Sequence, residues 1–208
     1  MNSKPVLLLI AGPNGSGKTT VTVTLRRDKW SEGVEYINPD DIAKEKFGDW
    51  NSPTAILEAA NWAEAQREEL LKQKQGIAFE SVFSAPDKVK FLEKAKASGY
   101  FIRVFFVSTT DPRINASRIM KRVMDGGHTV PIEKILSRYE KSMINLSAAI
   151  QLANRVYIYD NSVDGQDAVL CVRIENRTIR KIYADLPEWV SSSLEPLEYH
   201  PEFEGLRP

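Results

Sequence analysis

The run Gly12-Pro13-Asn14-Gly15-Ser16-Gly17-Lys18-Thr19, followed by Thr20, constrains this 208-residue chain more than any other stretch. An apolar segment, Val6 to Ala11, precedes it, and Thr20 to Arg27 follows with residues that can open a helix. Strand, glycine-rich turn, helix is the context in which such spacing builds a phosphate-binding loop rather than an ordinary turn. Glycines let successive backbone N–H groups converge on one concavity, and the helix N-terminus adds the positive end of its dipole. Lys18 then reaches the β- and γ-phosphates, and the Thr19 hydroxyl suits Mg²⁺. These residues imply a bound nucleoside triphosphate.

The size fits one α/β domain spanning residues 1–208, with a core at about 5–161 and a C-terminal hairpin and tail at about 165–208. Apolar content of 42% and charged content of 27% exclude a disordered chain. The formal net charge is zero, which argues against a general nucleic-acid binder. No apolar run approaches a membrane span, and the N-terminal one flows straight into the phosphate loop, so no membrane partner is expected. The lone Cys171 sits in a strand-like setting, as suits packing in a reducing cytoplasm. Local charge is less even. Residues 113–141 carry seven Lys or Arg against three acids, a cluster able to face phosphates, whereas 185–204 carry six acids and no Lys or Arg.

Strand patterns at 6–11, 35–38, 77–80, 101–107 and 156–159 alternate with helical ones, which implies a parallel sheet with helices on both faces. Pro53, Pro86, Pro112 and Pro131 mark helix starts, and Gly48, Gly76 and Gly99 mark stops. Runs 168–174 and 178–183, joined around Asn176, predict an appended β-hairpin, followed by a short helix and an extended tail.

In such sheets ligands bind beyond the carboxyl ends of the strands. There the second strand supplies Asn38-Pro39-Asp40-Asp41, the third Glu80-Ser81, the fourth Ser108-Thr109-Thr110 and the fifth Asp160-Asn161. An acceptor hydroxyl needs a carboxylate within hydrogen-bond reach, and Asp40 is the candidate, with its neighbour Asp41 capping a helix that begins near Ile42. Glu80 closes a buried strand and is expected to meet substrate, a magnesium-bound water or a site arginine. Arg118 and Arg122 share one helical face before the Gly126-Gly127 break, the arrangement of a lid that neutralises a transferring phosphoryl group, and Arg138 on the next helix can join them. His128 has no partner ligands at metal spacing.

Taken in order, Gly12 to Thr20, Ile37-Asn38-Pro39-Asp40, Phe79 to Ser84, Gly99-Tyr100, Arg118 to Pro131, Arg138-Tyr139 and Tyr159-Asp160-Asn161-Ser162 resemble the zeta-toxin-like P-loop kinases. The resemblance implies a P-loop NTPase three-layer sandwich with parallel strand order 2-3-1-4-5. It implies ATP and Mg²⁺ as cofactors, Asp40 as catalytic aspartate, Lys18 as phosphate-loop lysine, and Arg122 and Arg118 as lid arginines. UDP-N-acetylglucosamine is the acceptor that the family's toxins phosphorylate, and their sugar-nucleotide glutamate falls on Glu64. Where the toxins have a small polar stretch with an arginine after the strand-end glutamate, this chain has Ser81-Val82-Phe83-Ser84. Any inhibitory antitoxin would act in trans, because no helical extension precedes the phosphate loop. The alternative to a small-molecule kinase is a nucleotide-dependent regulatory or binding ATPase without a small-molecule acceptor.

Overall fold

Residues 4–26, 32–48, 52–124, 130–195 and 197–199 are described by the computed structural model of the chain. The expected break at 125–129, with Gly126, Gly127 and His128, lies outside them, as does the end of the acidic tail.

Strands β1 (Val6–Ala11), β2 (Val34–Ile37), β3 (Gly76–Ser81), β4 (Phe101–Ser108) and β5 (Arg155–Asp160) lie parallel in the order β2-β3-β1-β4-β5, which the resemblance implied. β6 (Val169–Glu175) joins β5 antiparallel, β7 (Thr178–Ile182) completes the hairpin, and the short β8 (Glu198–Tyr199) pairs parallel with β7. The sheet thus runs on unbroken to eight strands. Asn176 and Arg177, with φ of 48° and 68°, turn the hairpin, the left-handed pair that a tight two-residue connection needs.

β1 is central, and its side chains alternate between two cores. Leu7, Leu9 and Ala11 enter the larger core, and Leu8 and Ile10 the smaller. Each fully buried leucine or isoleucine contributes about 1.5–3 kcal/mol. The smaller core is covered by α1 (Lys18–Arg26) through Val21 and Leu25. On the other face lie α2 (Pro39–Lys46), α3 (Pro53–Gln73), α4 (Pro86–Ala97), α6 (Ile132–Leu152) and α7 (Glu188–Leu194), which bury Ile42, Ala59, Leu92, Leu146 and Val190 among others. α5 (Pro112–Met124) lies between β4 and α6 in the chain. Among the described residues no helix is long and apolar enough to cross a membrane.

Local chemistry places these boundaries. Ser52 accepts from Ala55 N at 3.2 Å and Pro53 takes the first position of α3, so the long helix starts where its cap dictates. At its far end the Tyr100 hydroxyl donates to the carbonyls of Leu70 (3.1 Å) and Gln75 (2.8 Å), which ties the end of α3 to the start of β4.

Candidate functional site

The phosphate loop leaves β1 at Gly12, whose φ is +142° and whose Cβ, if it had one, would lie 1.9 Å from the carbonyl oxygen of Val107. Only glycine lets the loop settle this closely on β4. Ser16 N donates to Pro13 O at 3.4 Å, and Lys18 Nζ folds back to the same carbonyl at 2.8 Å. The Ser16 hydroxyl is buried without a hydrogen-bond partner among the described residues. Burial, with Arg122 nearby, lowers Lys18 from its ordinary 10.5 to about 8, against the opposing pull of Glu80.

Across from the loop, β2 runs into α2. The cap of α2 is Asn38, whose side chain accepts from Asp40 N at 3.0 Å, and Pro39 follows as the first helical residue. This corrects the expectation that Asp41 caps a helix starting near Ile42. The Asn-Pro pair starts the helix earlier and frees both aspartates, of which Asp40 lines the site while Asp41 lines a separate cavity with Tyr36 and Trp62.

Glu80, at the end of β3, accepts from the Tyr36 hydroxyl at 3.0 Å and the Thr19 hydroxyl at 3.4 Å. Burial and then this carboxylate push the Tyr36 phenol well above its ordinary value, so it stays a hydrogen-bond donor. Beyond Glu80 the chain turns sharply. Phe83 is fully buried at φ +58°, its N–H donates to Ser81 Oγ at 2.9 Å, and Asn145 Nδ2 donates to its carbonyl at 2.9 Å. A buried aromatic held in the left-handed region marks a turn fixed by its surroundings.

One cleft of about 620 Å³ collects these groups. Asn14, Gly15, Gly17, Lys18, Thr19, Asp40, Glu80, Arg118, Arg122 and Arg138 line it, with Ile56 and Val82 as apolar walls. The structure therefore brings Lys18, Thr19, Asp40, Glu80, Arg118, Arg122 and Arg138 to one cleft, but not Glu64. That residue is exposed on α3 and lines a different cavity with Arg67 and Asp87. The α3 residue that meets the cleft is Ile56, two turns nearer the helix start.

The arginines differ among themselves. Arg122 is exposed and close enough to Lys18 to lower its pKa. Arg138 Nη1 donates to Asn14 Oδ1 at 3.4 Å. Arg118, expected as a free lid arginine, is instead engaged: Nε donates to Asp164 Oδ1 at 2.8 Å and Nη1 to the carbonyl of Asn161 at 2.8 Å. Asp160 is also occupied, accepting from Ser162 Oγ at 2.7 Å and Trp189 Nε1 at 2.8 Å.

Among the described residues no group of three or more His, Cys, Asp or Glu is arranged to hold a metal. The hydroxyl of Thr19 beside the Glu80 carboxylate, next to an unpartnered loop serine, nevertheless fits a Mg²⁺ that brings most of its oxygens from phosphates and water. Two residues that the sequence did not single out are Asn115 and Tyr36. No motif marks them, because each acts through a partner distant in sequence, 101 residues away for Asn115 and 44 for Tyr36.

The family model described as zeta toxin matches residues 1–170. An uncharacterized protein of Haemophilus influenzae (strain ATCC 51907 / DSM 11121 / KW20 / Rd) is 26% identical over 132 residues, covering 64% of this chain and 91% of its own length. Among solved structures, a component of the PezAT chromosomal toxin–antitoxin system of Streptococcus pneumoniae superposes with a TM-score of 0.58 at 16% identity, over 81% of this chain and 71% of that one. A chain of the AvrRxo1-ORF1:-ORF2 complex with ATP gives 0.63 at 17% identity, over 84% and 60%. At such identities the likeness is one of fold, and this chain spans less than two thirds of the AvrRxo1 chain.

Proposed function

This chain belongs to the zeta toxin family of P-loop kinases, and from that premise we propose that it is an ATP-dependent phosphotransferase acting on a hydroxyl of a small molecule. The observation that carries the reading is the shared cleft, in which a phosphate loop with its lysine faces a carboxylate, Asp40, across a space lined by arginines. Phosphoryl transfer needs positioning and charge neutralisation more than covalent help from the protein.

The loop N–H groups and Lys18 hold the β- and γ-phosphates of ATP. Lys18 leaves the Pro13 carbonyl to do so, exchanging one hydrogen bond for a charged one. Asp40 orients the acceptor alcohol and takes its proton as the oxygen attacks the γ-phosphorus. The bond from that phosphorus to the β-phosphate oxygen breaks, and ADP departs. Arg122 and Arg138 offset the charge on the equatorial oxygens. Mg²⁺, held through Thr19 with Glu80 alongside, would neutralise the phosphates when bound. Glu80, fixed by Tyr36, lines the same cleft.

UDP-N-acetylglucosamine is the first acceptor to test, because the family's toxins use it. The wall at Val82 and Ile56 and the distance of Glu64 from the cleft make other hydroxyl acceptors the natural comparison. An inhibitory protein acting in trans belongs to the same reading, since PezAT is a toxin–antitoxin system. A reducing cytoplasm suits the free, buried Cys171, whose thiol burial pushes up to about 11.

The test is ADP release with and without a panel of hydroxyl acceptors. Strong acceptor stimulation, lost in Asp40→Asn with ATP binding retained, supports the kinase. Acceptor-independent hydrolysis that is indifferent to that substitution refutes it and leaves a regulatory ATPase. Growth arrest on bacterial expression, relieved by Asp40→Asn, would add toxin action.

A further inference from the structure

An anion-binding loop turns its N–H groups inward, so its carbonyls must point outward and find donors elsewhere. In this loop Lys18 serves the Pro13 carbonyl, and the other two donors are asparagine amides from separate elements. Asn115, wholly buried on α5, donates from Nδ2 to Asn14 O at 2.7 Å, and its Oδ1 accepts from the buried Thr109 hydroxyl. Asn161, just past β5, donates from Nδ2 to Ser16 O at 2.8 Å. It sits so close that a Cβ on Gly17, where φ is +91°, would lie 2.2 Å from that nitrogen. Arg118, one turn beyond Asn115 on α5, then donates to the Asn161 main-chain carbonyl and pairs with the exposed Asp164. Asn161 N itself donates to Ser108 O at 2.8 Å, so the β5 end cannot drift away from β4.

From this geometry we infer that Asn115 and Asn161, cross-linked by Arg118, are positioning residues that hold the phosphate loop open in its anion-binding shape. The assignment changes the part given to Arg118. Its guanidinium is spent on the Asn161 carbonyl and the Asp164 carboxylate, so it acts on the loop through Asn161 rather than on the transferring phosphoryl. The inference deepens the proposed function and rests on that reading only for nucleotide binding.

The clamp makes a prediction that a γ-phosphate contact does not. ADP lacks the γ-phosphate yet still fills the loop, so the clamp must affect ADP and ATP alike, whereas a residue that meets only the transferring group leaves ADP untouched. Titration calorimetry with ADP and with ATP on wild type, Asn161→Ala, Asn115→Ser, Arg118→Ala and Arg122→Ala reads this directly, with melting temperature measured on the same samples. Losing one loop hydrogen bond is expected to weaken both nucleotides about tenfold in Asn161→Ala. Arg118→Ala should weaken both by a smaller, equal factor, and Arg122→Ala should leave ADP within about twofold. Asp164→Asn, on the surface, serves where a buried variant fails to fold, and it should reproduce part of the Arg118→Ala effect. ADP and ATP affinities unchanged in well-folded Asn161→Ala and Asp164→Asn overturn the clamp, as does an Arg118→Ala effect confined to ATP. Calorimetry needs no acceptor or turnover. A chain that hydrolyses ATP without an acceptor, yet loses ADP affinity in these variants, therefore keeps the clamp and sinks the phosphotransferase.

Discussion

The two halves of the cleft are built differently. On the donor side the loop carbonyls of Pro13, Asn14 and Ser16 all accept hydrogen bonds, and the supports come from the buried Asn115 and from Asn161. On the acceptor side Asp40 is exposed, its helix is capped through Asn38, and the wall comes from Ile56 and Val82 on separate elements. A triphosphate is the same in every such enzyme, so its half can be rigid. The proposed acceptor half presents side chains from α2, α3 and the turn after β3. On the proposed reading, Asp40, Ile56 and Val82 rather than the loop would discriminate between acceptors.

Substitutions that break this division should be graded. Lys18→Ala removes the principal donor-side cation and is expected to lower turnover by about 10⁴ with any acceptor, read as ADP release. Asp40→Asn removes the acceptor-side base. It should cost about 10³ in acceptor-stimulated turnover and leave ATP affinity within about twofold. Equal losses of affinity in both variants would erase the distinction between the halves.

A third effect belongs to the donor half alone. Burial holds Lys18 at about 8, below its ordinary 10.5, whereas bound phosphate favours the ammonium. Above pH 8, binding must therefore take up a proton, and nucleotide affinity should fall, by up to about tenfold per pH unit. Below pH 8 the lysine is already charged and its contribution is level. Calorimetry in buffers of differing ionisation heat measures the proton taken up, and Lys18→Arg should abolish the dependence.

Smaller still, Tyr36→Phe deletes the hydroxyl that holds Glu80 and should reduce turnover about fivefold, mainly through the acceptor KM. Glu64→Ala should change turnover by less than about twofold, because its side chain faces another cavity. A large effect there would move the acceptor boundary across α3.

Much of this was legible in the sequence, for reasons that differ by region. The core strands show because they are buried on both faces, as in Phe101–Ser108, and their parallel order came from the resemblance. The phosphate loop shows because its backbone demands glycine. The sequence places the start of α2 near Ile42, three residues late, since Asn38 competes with two aspartates as a cap and only geometry decides between them. The clamp was half visible. Asn161 lay at a strand end where ligands gather, but Asn115 looked like any polar residue on a basic helix, and its partner is 101 positions away. The sequence marks Arg118 but not its engagement by Asp164 and Asn161, because hydrogen-bond partners across a fold leave no local pattern.

In the proposed reaction the γ-phosphorus leaves ATP for an alcohol held by Asp40. Phosphorus NMR of wild type and Asp40→Asn, incubated with ATP, Mg²⁺ and the acceptor that most stimulates ADP release, follows that atom. The expected result is a new phosphomonoester signal growing in step with ADP in the wild type and nearly absent in Asp40→Asn. Inorganic phosphate and ADP with no phosphomonoester, formed at the same rate by both proteins, would contradict it.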